Sequence, residues 1–250
     1  VSGLDLLWLF LAGIGGGLSG SVAGLASVVS YPVLLAVGLP PVVANVTNTV
    51  ALVFSSVGSV TGSRPELTGQ RASARYLAGF AVGGGICGAL LLLATPSRQF
   101  ALIVPWLIGL ASLAIIIRPD PARIPPPSGS RPTWGVTAGV FVVGVYGGYF
   151  GAAAGVILLA LLLLTTTETL ARSSALKNLL LGLANGVAAV LFLAFGPVRW
   201  GAVLPLGLGF LIGGRVGPIV VRRAPAGPLR VAIACAGIGL AVSLGIDAYR

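Results

Sequence analysis

Two apolar blocks in this chain are too long to be single membrane crossings, and glycine interrupts both. Leu4–Leu39 runs for 36 residues and Trp134–Thr165 for 32, whereas a spanning helix takes about 20. Gly13, Gly15, Gly16, Gly17 and Gly20 interrupt the first; Gly144, Gly147, Gly148 and Gly151 interrupt the second. Each interior glycine weakens a helix by about 1 kcal/mol relative to Ala, so such clusters are where a helix can break and reverse. Each block therefore reads as a re-entrant or broken helical hairpin, spanning 4–39 and 134–165.

Six further stretches have the length and apolarity of single crossings: Val42–Thr61, Tyr76–Ala94, Phe100–Ile117, Ser173–Phe195, Trp200–Val221 and Pro228–Ile246. Composition leaves no soluble alternative. Charged residues make up 8% of the chain and hydrophobic ones 56%, with a mean hydropathy of +1.05; soluble domains carry about 25% charged residues. The net charge of +10 is then a matter of loop orientation rather than nucleic-acid binding. With no His in the sequence, His-ligated zinc or haem and any Ser-His or Cys-His nucleophile are excluded. No metal and no cofactor are expected.

The blocks recur. Gly13, Gly16, Gly17, Gly20 and Gly24 reappear 131 residues later as Gly144, Gly147, Gly148, Gly151 and Gly155. Asn48 reappears 130 later as Asn178, and Gly84, Gly85 and Gly88 reappear 129 later as Gly213, Gly214 and Gly217. The chain thus reads as two homologous halves, 1–117 and 134–250, joined by a Pro-, Ser- and Arg-rich linker at 118–133. If each long block crossed once, the basic residues would divide eight to seven between the two sides. If each returns to its own side, twelve fall together: Arg64, Arg71, Arg75, Arg118, Arg123, Arg131, Arg172, Lys177, Arg215, Arg222, Arg223 and Arg230. Only Arg98, Arg199 and Arg250 fall opposite. The positive-inside rule selects the second arrangement. It predicts an all-α integral membrane protein of two inverted repeats, each a hairpin plus three crossings, with a cytoplasmic linker and both termini outside.

Inverted repeats with paired broken helices point to a transporter whose site lies near the midplane. The second leg of each hairpin begins in mid-membrane, near Gly24 and Gly155. Helix N-termini there present free N–H groups and partial positive charge, a cradle for a small anion. Tight helix packing is the competing reading of these glycines, and it is the preferred one for Gly84, Gly85, Gly88, Gly213, Gly214 and Gly217. Polar residues gather where each hairpin hands over to the next helix: Asn45, Thr47, Asn48 and Thr49 in one half; Ser173, Ser174, Lys177 and Asn178, then Asn185, in the other. Either they contact substrate or they cap and cross-link helices. Lys177 either faces a cavity or snorkels to headgroups. Tyr31, Tyr146 and Tyr149 are further hydroxyl donors, with interface anchoring as the alternative.

Asp5, Glu66, Asp120, Glu168 and Asp247 all sit at or beyond span ends. The carboxylate relays and cation cages of coupled carriers are therefore missing from mid-span. This points to passive anion movement, or to a proton that travels on the substrate. Gly17-Leu18-Ser19-Gly20 matches the GxSG around an intramembrane protease serine, but without His that chemistry lacks its base. An intramembrane enzyme and a purely structural subunit are remote alternatives.

Three stretches carry a family likeness: Gly20–Thr49 (GSVAGLASVVSYPVLLAVGLPPVVANVTNT), Gly144–Gly155 (GVYGGYFGAAAG) and Ala175–Asn185 (ALKNLLLGLAN). In their order and duplication they resemble the sulfite exporter TauE/SafE family of membrane permeases. The resemblance covers both halves. It implies movement of small sulfur-containing anions, such as sulfite or organosulfonates, across the cell (inner) membrane. The chain departs from the family at Ala23–Ser27, where the first half often reads GxGGG. Thiosulfate-importing relatives use cysteines near the pore, and Cys87 and Cys235 lie away from the hairpin tips. The expected partners are the lipid bilayer and a small anion, with no nucleic acid and with self-association left open. The expected substrate-binding residues are Gly24, Asn45, Thr47, Asn48, Thr49, Gly155, Ser174, Lys177, Asn178 and Asn185; another small solute remains the alternative cargo.

Overall fold

A computed structural model describes residues 3–117, 134–166 and 168–223, with 238, 242, 245 and 246. The linker expected at 118–133, the crossing expected at Pro228–Ile246 (apart from those four positions) and both chain ends lie outside the described residues. Among the described residues there are helices and no strand: α1 Gly3–Ala23, α2 Ala26–Ala36, α3 Pro41–Gly62, α4 Arg64–Leu67, α5 Arg71–Ala94, α6 Ser97–Ile117, α7 Trp134–Tyr149, α8 Ala154–Thr165, α9 Leu170–Phe195 and α10 Trp200–Arg223. Five of them, α1, α3, α5, α9 and α10, are long and apolar enough to cross a membrane; α2, α7 and α8 are shorter apolar helices. The chain is a multi-pass membrane protein.

Both long blocks break at glycine. α1 ends where Gly24 takes φ +80°, and α7 ends before Gly151 at φ +72°. Neither conformation is readily open to an L side chain. α2 ends before Gly38, at φ +86°, and Pro41 then opens α3 at a position where its missing N–H costs nothing. Three crossings start three or more residues earlier than their apolar runs suggest: α5 begins at Arg71 rather than Tyr76, α6 at Ser97 rather than Phe100 and α9 at Leu170 rather than Ser173, because polar residues can extend a helix past its apolar segment.

The contacts give the helix directions. Gly13, Gly17 and Ser21 of α1 meet in turn Gly209, Gly213–Gly214 and Gly217 of α10, so these helices run parallel. α7 runs parallel to α5 in the same way: Gly144 meets Ala81 and Gly84, and Gly148 meets Gly85 and Ala89. α3 lies antiparallel to α9, since Gly196 approaches Val46 and Gly182 approaches Ser56. It follows that the starts of α1, α3 and α10 share one end of the bundle. The starts of α5, α7 and α9, with Arg64, Arg71 and Arg172, share the other. Hydrogen bonds tie each end: Arg199 N donates to Thr47 Oγ1 (3.1 Å) at the first, and Gln70 Nε2 to Arg172 O (3.1 Å) at the second.

Glycine makes these contacts possible. A Cβ on Gly84 would lie 2.3 Å from Phe141 O, and one on Gly213 2.2 Å from Ile14 O. The atoms met can be compared with the register in which the sequence pattern recurs. Gly84 faces Phe141 O, Gly144 Cα and Val145 N, while Gly209 faces Phe10 O, Gly13 Cα and Ile14 N. Gly88 and Gly213 correspond likewise, through Val145 O with Tyr149 N and Ile14 O with Leu18 N. Against the hairpins, then, Gly84 and Gly88 answer to Gly209 and Gly213, one helical turn away from the match of Gly84 with Gly213 that the sequence suggests. Against α3 and α9 the contacts stay within one residue of the sequence register: Gly214 meets Ser55 and Gly85 meets Ala184.

The core joins Leu9, Leu25, Tyr31, Phe100, Phe150, Phe192 and Phe210. The outer surface is apolar too: Trp8, Leu90, Trp106, Leu110, Val190 and Leu204 are exposed. Such a surface is unfavourable in water and suited to a bilayer.

Candidate functional site

The two hairpin turns meet. A Cβ built on Gly24 would stand 2.2 Å from the Gly155 carbonyl carbon, and one on Gly155 2.4 Å from Gly24 Cα. Only two glycines permit that approach. It sets the N-terminal ends of α2 and α8 side by side. The residues before these helices, Leu25 and Ala153, give no side-chain cap; in α8 the turn itself takes two of the first amides, Ala154 N donating to Gly151 O (3.2 Å) and Val156 N to Ala153 O (2.9 Å), and the remaining first-turn N–H groups are open to another acceptor.

A cleft of about 490 Å³, its open mouth included, lies at this junction. Gly20, Gly24, Ala26 and Ser27 line it from the first hairpin, and Gly147, Gly151, Ala154 and Gly155 from the second. α3 adds Leu52, Ser55, Ser56 and Ser59; α9 adds Asn178, Leu181 and Asn185. Hydroxyls, amides and glycine backbone make up the polar part of the wall, and no lining residue is charged. Towards the end that holds the starts of α1 and α3, aromatic rings close the bundle. Tyr31 meets Phe150 edge-on at 5.2 Å between centroids; Phe100 meets Tyr149 at 5.7 Å and Phe150 at 6.0 Å.

Of the ten residues expected to bind substrate, Gly24, Gly155, Asn178 and Asn185 line this cleft. The other six are buried, and four of them, Asn45, Asn48, Ser174 and Lys177, hold the hairpins. Asn48 accepts from Ser30 Oγ (2.6 Å) and donates to Ser27 Oγ (3.1 Å), fixing α2 to α3. Asn45 Nδ2 donates to Tyr149 O (2.8 Å) at the end of α7. Thr49 turns back to Asn45 O (3.0 Å), and Thr47 takes the Arg199 amide. Ser174 Oγ donates to Ser21 O (2.9 Å) at the end of α1. Lys177 is fully buried, and its Nζ donates to Gly20 O (2.8 Å) and Ser21 O (3.2 Å). Its ammonium therefore reaches the end of α1 rather than the headgroups.

The tyrosines also serve the hairpins: Tyr31 donates to Pro41 O (3.3 Å) and Tyr146 to Ala152 O (2.7 Å). Ser19 of the GxSG stretch donates back to Gly16 O (3.2 Å). Sequence reasoning missed the serines of α3. Their signal is periodicity: Asn48, Leu52, Ser55/Ser56 and Ser59 share one helical face, as do Asn178, Leu181 and Asn185 on α9.

Among known proteins, the family described as "Sulfite exporter TauE/SafE" matches residues 9–244. The chain is 28% identical over 243 residues to the "Probable membrane transporter protein ORF9" of Sinorhizobium sp, covering 97% of this chain and 93% of that protein. It is 25% identical over 224 residues to the "Probable membrane transporter protein YfcA" of Escherichia coli (strain K12), covering 88% and 82%. No solved structure matches.

Proposed function

The chain belongs to the sulfite exporter TauE/SafE family of membrane transporters, and we propose that its cargo is a small sulfur-containing anion, sulfite or an organosulfonate. The observation that carries this reading is the cleft at Gly24 and Gly155. Two helix N-termini without side-chain caps converge there, with hydroxyls and amides around them and no carboxylate among the lining residues. A pyramidal or tetrahedral oxyanion offers three acceptor oxygens to such donors, and helix N-termini favour its charge. The family's own description supports the choice of sulfur oxyanion.

The same reading makes the molecule two inverted repeats, each a re-entrant hairpin with three crossings, and puts the cleft near the bilayer midplane. The parallel pairings α1 with α10 and α7 with α5 support it, because each hairpin packs against the other half. The end carrying Arg64, Arg71 and Arg172 faces the cytoplasm and both termini face outward, as the charge distribution favours. Substrate passes between the two faces as the aromatic closure and the cleft mouth open in turn.

The test is uptake by proteoliposomes of labelled sulfite, methanesulfonate and sulfate, with membrane potential and pH gradient set separately. Sulfite or methanesulfonate should enter faster than in protein-free vesicles, and Asn178→Ala with Ser56→Ala should slow entry. Failure of the native protein to move any of the three would refute the sulfur-anion reading and leave another small solute as cargo.

A further inference from the structure

We propose that Lys177 is a built-in cation for the broken end of α1, and that its fixed charge, set behind the cleft wall rather than in it, makes the cleft select anions. This deepens the reading of the cleft as an anion site and rests on it. The last-turn carbonyls of a helix carry partial negative charge and lack intrahelical partners. α1 ends inside the protein, three residues after Gly20. Its Ser21 O accepts from Lys177 Nζ and from Ser174 Oγ, and its Gly20 O, which also takes the Gly24 amide (2.9 Å), accepts from Lys177 Nζ as well. Ser21 in turn donates to Gly214 O (3.1 Å). The ammonium thus stands where a monovalent cation would otherwise be needed to hold the interrupted helix.

The ammonium stands behind residues of the cleft wall. Gly20, which it holds, and Asn178, its neighbour in sequence, both line the cleft. At full burial the charge is weakly screened, so its field acts across the wall. The two halves are unlike in this respect. At the end of α7 the carbonyl of Tyr149 takes the neutral amide of Asn45, and the repeat partner of Lys177 is Thr47, which holds the Arg199 amide. One hairpin end is neutral and the other charged, so the cleft gains a positive charge from one side only. No co-transported inorganic cation is then required for the anion to bind.

The experiment compares native protein with Lys177→Arg and Lys177→Ala in proteoliposomes, in sodium-free buffer with and without methylammonium chloride. Native uptake of the anion should be indifferent to methylammonium. Lys177→Arg should keep most of it. Lys177→Ala should lose on the order of tenfold or more and should recover in part with methylammonium, whose ammonium fits the vacated space, but not with neutral methanol. Thermal unfolding in detergent supplies a readout independent of cargo: methylammonium should raise the Tm of Lys177→Ala and leave that of the native protein unchanged. Native-level uptake by Lys177→Ala would overturn the proposal. So would a loss that neither Arg nor methylammonium restores, with no amine-dependent Tm. If the native protein moves no sulfur anion but the Tm response is seen, the cargo assignment fails while the built-in cation stands.

Discussion

Replacing Gly24 by Ala separates two physical effects that the structure combines at one residue. The first is backbone conformation: Gly24 has φ +80°, and an L residue there costs about 1–2 kcal/mol. The second is space. The new Cβ would sit 2.2 Å from the Gly155 carbonyl carbon and 2.5 Å from Gly155 Cα and Val156 N, against the 3.4 Å at which ordinary contact begins. All three are backbone atoms, so no side chain can turn away. One hairpin must retreat by about 1 Å, at the roughly 1–3 kcal/mol of an overpacked site. Two controls split the terms. Gly38→Ala has the same backbone problem, φ +86°, with nothing within 4 Å of its Cβ. Gly155→Ala has the contact, 2.4 Å to Gly24 Cα, without a positive φ. Purified in detergent, Gly38→Ala should lower Tm by roughly 4 °C and Gly24→Ala by roughly 10 °C, taking about 2–4 °C per kcal/mol. Gly155→Ala should fall between them or alongside Gly24→Ala. In vesicles, Gly24→Ala and Gly155→Ala should cut uptake while Gly38→Ala leaves it near native. If Gly24→Ala matches Gly38→Ala in both Tm and uptake, the hairpin tips do not touch and the cleft between them is not the site.

Asn48→Ala should destabilise by about 1–2 kcal/mol, because it removes both side-chain bonds between α2 and α3, leaving Ser27 without its Asn48 donor while Ser30 falls back on Ala26 O; chemical unfolding of the purified protein reads this. In a topology test on a cysteine-free background, cysteines at Pro40 and at Arg199, both exposed, should react with an impermeant thiol reagent from one side of the vesicle, and one at Leu67 from the other. Reaction of Pro40 and Leu67 from the same side would refute the direction of α3. Glu168→Gln should change Tm by little, because the Arg172–Glu168 pair is at the surface, where such pairs contribute less than about 1 kcal/mol.

The hairpin turns were legible in sequence because glycine is the residue that left-handed turns and backbone-to-backbone contact both need. Gly24 and Gly155 were therefore found without knowing what they touch. The polar residues were harder. Asn45, Asn48, Ser174 and Lys177 stand out in apolar helices whether they serve cargo or chain, since lipid demands that each be paired. Which partner satisfies each is a tertiary fact. Here the partners are the broken hairpins, whose interrupted helices expose carbonyls and amides that need them. The α3 serines escaped notice for the opposite reason. Ser56 and Ser59 can bond their own helix, at Leu52 O and Ser55 O, so sequence gives them no reason to face anything else.

The one-turn offset between the sequence repeat and the hairpin contacts has a physical origin in the same glycines. α5 carries Gly84, Gly85 and Gly88, and α10 carries Gly209, Gly213, Gly214 and Gly217. Glycines four apart present the same groove one turn along, so a helix of this kind offers a neighbour two registers of nearly equal fit. The two halves have taken different ones against their hairpins while staying within one residue of a common register against α3 and α9.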